Sequence, residues 1–169
     1  MDILQAILTR RSIRRYTGEV ISDDMVHTML EAGFAAPSAT NRRPQHFVVV
    51  RDQARLERIS AVQPFTRWLQ QAGCAIVVCG DLRRQPLKGF MIQDCAASIQ
   101  NMLLAAHGLG LGAVWGGLYP VRIFTRGLRK ILHLPAWMIP VGLIGVGVRA
   151  GEKPAHNQYD EDRVFFETM

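Results

Sequence analysis

The chain has 169 residues, 49% hydrophobic and 20% charged, with a net charge of +6. That length holds one domain with a sizeable core and is too short for two comfortable ones, and the composition excludes a disordered or low-complexity chain. The positive balance favours anionic partners without choosing among nucleic acid, acidic lipid and phosphorylated cofactors.

Residues 2–9 read as a short helix with Ile3, Leu4, Ala6, Ile7 and Leu8 as its apolar stripe. It gives way to Arg10-Arg11-Ser12-Ile13-Arg14-Arg15. Guanidinium forks fixed beside a hydroxyl suit a dianionic phosphate; a solvated basic face or a polyanion patch is the plainer reading of the same run. After a turn at Gly18, Ser22 caps a helix with Asp23 and Asp24 in its first turn, and Pro37 stops it. A polar loop over 38–44 leads to Phe47–Val50, short and β-branched, hence a buried strand. Residues 52–60 make a polar helix, and Pro64 starts another around Phe65, Trp68 and Leu69.

Ala75–Gly80 is a second buried strand. Cys74 and Cys79 stand an odd number of residues apart, so they face opposite ways and share no metal. Residues 88–108 form the longest helix, apolar nearly all round and so buried on most sides. Asp94, Ser98 and Asn101 make one narrow polar stripe on it, a hydrogen-bonded seam. So small a domain has little room to bury that helix, which is expected to pack in part against a second subunit. Gly108–Gly112 end it, residues 113–117 form a short strand, and Pro120 starts a helix running to Leu132. Residues 140–148 read as a glycine-rich strand that lets a neighbour approach closely. The tail from Gly151 is polar, with Val164-Phe165-Phe166 as a docking point. Four strands alternating with helices imply an α+β or α/β architecture around one sheet.

Several chemistries lack their pattern. The five histidines, His156 among them, are scattered, so metal-ligand spacing is missing. No Gly-x-Ser-x-Gly elbow is present, and Cys95 lies inside the apolar helix, where a thiol packs rather than reacts. The glycines of 108–112 follow a helix and open a strand, the reverse of a dinucleotide-binding turn. Basic residues recur at Arg42-Arg43, Arg83-Arg84, Arg126, Arg129 and Lys130, without the interleaved aromatics of a nucleic-acid platform. Three cysteines in apolar surroundings fit reduced thiols in a cytoplasmic protein. An amphipathic start and broken apolar stretches argue against a signal peptide or membrane span.

Four segments in order carry a resemblance: Arg10-Arg11-Ser12-Ile13-Arg14, Ala36-Pro37-Ser38-Ala39-Thr40-Asn41-Arg42-Arg43-Pro44, Gln93-Asp94, and Gly110-Leu111-Gly112-Ala113-Val114-Trp115-Gly116-Gly117. Together with Glu152-Lys153-Pro154 and Tyr159–Val164, the chain resembles the short bacterial members of the FMN-dependent nitroreductase family over essentially its whole length. That resemblance implies an α+β fold with a mostly antiparallel central sheet, flanking helices and the long helix at a homodimer interface holding two FMN molecules. It implies Arg10, Ser12 and Arg14 on the FMN phosphate and ribityl chain, with Arg11 helping. Pro37, Ser38, Ala39 and Asn41 would come from the other subunit to line the flavin, with Trp115, Gly116 and Gly117 beside it. The glycines would bring backbone N–H toward the ring. Relatives often carry an arginine near His156 or Gln158; Arg149 or Lys153 is expected to replace it here. They also commonly have glutamine at Arg43 and an aromatic at Gln45. The activity implied is hydride transfer from NAD(P)H through FMN to an electron-poor small molecule, such as a nitroaromatic or quinone, by a ping-pong cycle. No side chain is named as an acid or base, and no nucleic-acid or membrane partner is implied. Flavin or enone reduction on the same fold, and polyanion binding by the arginines, are the rival readings.

Overall fold

A computed structural model describes residues 2–155 and 157–169. Its framework is one antiparallel sheet of four strands, β1 (Gln45–Val50), β2 (Cys74–Asp81), β3 (Gly112–Gly117) and β4 (Met138–Gly147), in the order β1-β2-β4-β3. Helices cover both faces, so the architecture is α+β. α2 (Asp23–Phe34) and α4 (Lys88–Gly108) pack on one face, while α3 (Gln53–Val62), a 3-10 segment (Pro64–Gln71) and α5 (Arg122–Ile131) pack on the other. α1 (Ile3–Thr9) lies outside these layers.

The caps are those the side chains favour. Asp2, Ser22 and Asp52 accept from the amides of Gln5, Met25 and Arg55, satisfying donors that the first turns of α1, α2 and α3 leave open. Strand parity sorts the core: Cys74, Ile76 and Val78 point to the α4 face, Ala75, Val77 and Cys79 to the other. The two β2 thiols therefore face opposite ways, and burial pushes Cys74, Cys79 and Cys95 up to about 12, which keeps them protonated. On β4, missing side chains seat two indoles. A Cβ on Gly142 would run into Trp115 Nε1, and one on Gly145 into Trp68 Cζ3.

Several expectations change. β2 is buried throughout, but Phe47–Val50 belong to an edge strand with Val49 exposed; an unbroken apolar run does not tell a central strand from an edge. Pro64 opens a 3-10 segment, and α5 begins at Arg122 rather than at Pro120. The expected end of α4 holds: Gly108 is its last residue, and Gly110, at φ +79°, makes the left-handed turn behind it. α1 buries no residue at all: Ile3, Leu4, Ile7 and Leu8 are exposed. No helix among the described residues is long and apolar enough to cross a membrane.

Candidate functional site

The open edge of β3 organises the site. Ser12 forms a parallel bridge with Ala113, and the Ile13 N–H donates to the Ala113 carbonyl at 3.0 Å, so the arginine run lies against the start of that edge. Backbone groups alternate in direction along a strand, so Trp115 and Gly117, like Ala113, turn theirs away from β4. From Ala113 to Gly117 the edge extends about 13 Å at roughly 3.4 Å per residue. One end is cationic and the other is glycine.

At the cationic end, Arg10, Arg11 and Ser12 line a cleft of about 400 Å³ with Lys153, Pro154 and Gln158. No acidic residue among the described residues lines it. Arg11 fastens the tail, donating from Nε to the Pro154 carbonyl at 3.1 Å, while Arg149 donates to the Gly110 carbonyl at 2.9 Å. Arg14 sits apart, on a neighbouring cleft of about 330 Å³ with Arg15 and Lys153. His107, near the end of α4, lies 2.9 Å from the Thr9 hydroxyl. Burial, then the charges of Arg149, Arg10 and Arg11, holds its pKa below the ordinary value. Burial and Arg11 likewise lower Arg10. Crowded positive charge of this kind is relieved by an anion. Lys153 thus reaches the cleft, as does Gln158; His156 lies outside the described residues.

At the other end the two glycines differ. A Cβ on Gly116 would meet Thr66 Cγ2 at 3.0 Å and Leu143 Cδ1 at 3.2 Å, a packing reason for its absence. A Cβ on Gly117 would meet nothing within 4 Å. The Gly117 carbonyl accepts from Gln63 Nε2 at 3.0 Å, and the Gln63 Oε1 accepts from the Phe65 amide at 2.9 Å, tying the 3-10 segment to this edge. Sequence reasoning missed Gln63 and Thr66. A glutamine in a short connection carries no pattern that announces such a role.

The loop Pro37–Pro44 stands elsewhere. It feeds β1, on the opposite edge of the sheet, three strand spacings or about 14 Å from β3. Thr40, Asn41 and Arg43 all have positive φ (51°, 54° and 47°), a conformation side chains resist. The α4 seam holds the region in place. Asp94 Oδ1 accepts from the Ala39 amide at 2.9 Å, the Ser98 hydroxyl donates to the Gly33 carbonyl, and Asn101 Nδ2 donates to the Ala32 carbonyl at 3.1 Å. Ser38 Oγ accepts from the Arg43 amide at 2.9 Å, and Arg43 Nε donates to Asn41 at 2.8 Å. Asp94 Oδ2 is buried without a partner. Within one chain, then, Arg10, Arg11, Ser12, Arg149, Trp115, Gly116 and Gly117 gather along one edge, while Pro37, Ser38, Ala39 and Asn41 gather at the other.

The β3 edge thus runs from a cationic cleft at the arginines to an open glycine at Gly117. The sequence model of the Nitroreductase family matches residues 7–64 and 60–148. A Methanothermobacter thermautotrophicus protein named as an NADH dehydrogenase/NAD(P)H nitroreductase is 41% identical over 167 residues, 99% of this chain and 87% of its own length. A solved Parabacteroides distasonis structure of the same description superposes with a TM-score of 0.95 at 36% identity, covering 98% of each chain. A Desulfovibrio desulfuricans nitroreductase solved in complex with FMN has a TM-score of 0.86 at 34% identity, covering 100% of this chain and 98% of the other.

Proposed function

Because the chain belongs to the nitroreductase family, we propose that it is an FMN-dependent NAD(P)H oxidoreductase, a single domain acting as a cytoplasmic homodimer on small electron-poor acceptors such as nitroaromatics or quinones. Gly117 carries the reading. Its missing side chain has no explanation within its own chain, at a strand edge about 13 Å from an acid-free cationic cleft. Arg10, Arg11, Ser12 and Lys153 are the groups to hold the phosphate, with Arg149 adding charge. Arg14 serves the neighbouring ribityl stretch. Gly117 presents its edge N–H, and Gly116 and Trp115 shape the floor beneath. FMN held there would supply the two-electron chemistry of a ping-pong cycle between NAD(P)H and the acceptor. This chain's own residues bind, orient and shield, and none is assigned as a catalytic acid or base.

The same geometry supports the homodimer reading. Pro37, Ser38, Ala39 and Asn41 stand at the far edge of the sheet, so as cofactor contacts they would reach a β3-edge ligand from a second copy. The face of α4 turned from the sheet is available to that copy, with Phe90, Gln93 and Gln100 exposed and Ala97 and Leu104 half-buried. The uncovered stripe of α1 and the exposed Val164, Phe165 and Phe166 add apolar surface of the kind a partner buries.

The test is direct. The purified protein should be yellow and release FMN on denaturation, and replacing Arg10 and Lys153 together by alanine should yield a folded, largely colourless dimer. Colourless parent protein with steeply salt-dependent nucleic-acid binding would instead establish the polyanion reading.

A further inference from the structure

A second cationic cavity lies beyond the glycine end, lined by residues the FMN site does not use. Lys88, Arg122, Arg126 and Arg129 border a groove of about 590 Å³ whose walls include Tyr119 and Thr125. No aspartate or glutamate among the described residues lines it. The adjacent Asp81 is already engaged by Arg83, at 2.8 Å. None of the four cations makes an ion pair among the described residues, and the Nε of Arg129 is buried without a hydrogen-bond partner.

α5 also works against its own stability here. Arg122 occupies the first helical position, where positive charge opposes the helix dipole, and the first turn holds no acid. Val121 offers no side-chain cap. Arg122 and Arg126 then repeat like charge at i, i+4, and Arg126 and Arg129 at i, i+3. A helix built this way gains from an anion along this face, with open backbone donors and Arg122 at its first turn and Arg126 and Arg129 on the turns that follow. The groove is close to the proposed chemistry: Tyr119 follows Gly117 by two residues, about 7 Å of extended chain.

Resting on the oxidoreductase reading, we infer that this groove is the subsite for the phosphates of the dinucleotide donor, with Lys88, Arg122, Arg126 and Arg129 taking the pyrophosphate or an adenosine 2′-phosphate. The donor's adenosine half is then held by α5 while its nicotinamide lies at the β3 edge. Its recognition is separate from that of the FMN phosphate, which belongs to Arg10, Ser12 and Lys153.

The experiment uses the FMN-loaded dimer. Two double variants, Arg126→Ala with Arg129→Ala and Lys88→Ala with Arg122→Ala, are compared with the parent for FMN content, donor KM and kcat with one fixed acceptor. The second pair alters exposed side chains only and keeps the test sound if loss of Arg129 disturbs packing. FMN content and kcat should hold, and donor KM should rise about tenfold or more, as expected when charge-assisted contacts to phosphate are lost. A larger rise for NADPH than for NADH assigns the 2′-phosphate, and equal rises assign the pyrophosphate. Adenosine 2′,5′-bisphosphate should compete with the donor in the parent and lose the same factor in the variants. Donor KM within twofold of the parent in both variants, or undiminished competition by the bisphosphate, overturns the assignment. If neither nucleotide reduces the parent's flavin, it is the oxidoreductase reading that fails. Calorimetric binding of the bisphosphate to parent and variants then decides the groove by itself.

Discussion

Replacing Gly117 by alanine separates fold from function more sharply than any other substitution in this chain. The added methyl group meets no atom within 4 Å, and the residue sits in a strand with ordinary φ. Removing a glycine from a compatible strand position stabilises by about 0.5–1 kcal/mol, through the unfolded chain as much as the folded one. For a chain of this size that raises the melting temperature of the flavin-free protein by about 1–4 °C. On the proposed placement of the cofactor the same methyl intrudes where its flat end would rest, and overpacking of that kind costs about 1–3 kcal/mol, or roughly five- to 150-fold in FMN affinity. The two effects have opposite signs. Thermal unfolding of apo protein and fluorescence titration with FMN measure them independently. Gly116→Ala is the control, because its methyl runs into Thr66 and Leu143 and should lower the melting temperature. A Gly117→Ala protein that holds FMN as tightly as the parent would refute placement of the ring at this edge.

Asp94→Ala removes a charged acceptor from the Ala39 amide; the loss of about 1.5–3 kcal/mol should lower the melting temperature by about 3–12 °C, while Asp94→Asn, which keeps an acceptor, loses less. A midpoint within about a degree of the parent in Asp94→Ala would show that the carboxylate does not hold the loop. His107 gives a pH signature. Its folded pKa lies below the ordinary 6.5 because of burial and three arginines, so the unfolded chain binds its proton more readily. Stability should be level above about pH 6.5 and fall as pH drops from there through the lowered folded value. His107→Gln should flatten that segment of a plot of melting temperature against pH, and so should saturating FMN, whose phosphate offsets the arginines. An unchanged slope in the variant would place the titration elsewhere.

Much of this architecture was legible in the residues. The caps at Ser22, the full span of α4 and the opposite facing of Cys74 and Cys79 follow from local chemistry and parity, which need no knowledge of distant partners. The strand order was not, because β1 and β2 are both unbroken apolar runs and only the pairing shows that one is an edge. Of the site, the arginine run and the glycine pair were visible as motifs. Their relation to each other depends on Ser12 bridging Ala113, a long-range contact. The left-handed backbone at Thr40, Asn41 and Arg43 has no glycine to announce it. It exists because tertiary hydrogen bonds hold it. Gln63 was invisible for a related reason: its partner is a main-chain carbonyl, which any sequence supplies.

That last kind of bond has a wider consequence for α4. Asp94, Ser98 and Asn101 grip the amide of Ala39 and the carbonyls of Gly33 and Ala32, all of them main-chain atoms. The grip is therefore blind to most side chains in the segment it holds. Exposed side chains of this segment that make neither the loop's own bonds nor the proposed cofactor contacts can be rewritten, by drift or in the laboratory, while the clamp that fixes its path stays the same. A lineage can in this way exchange one acceptor for another by altering exposed loop side chains alone, without renegotiating the core beneath them.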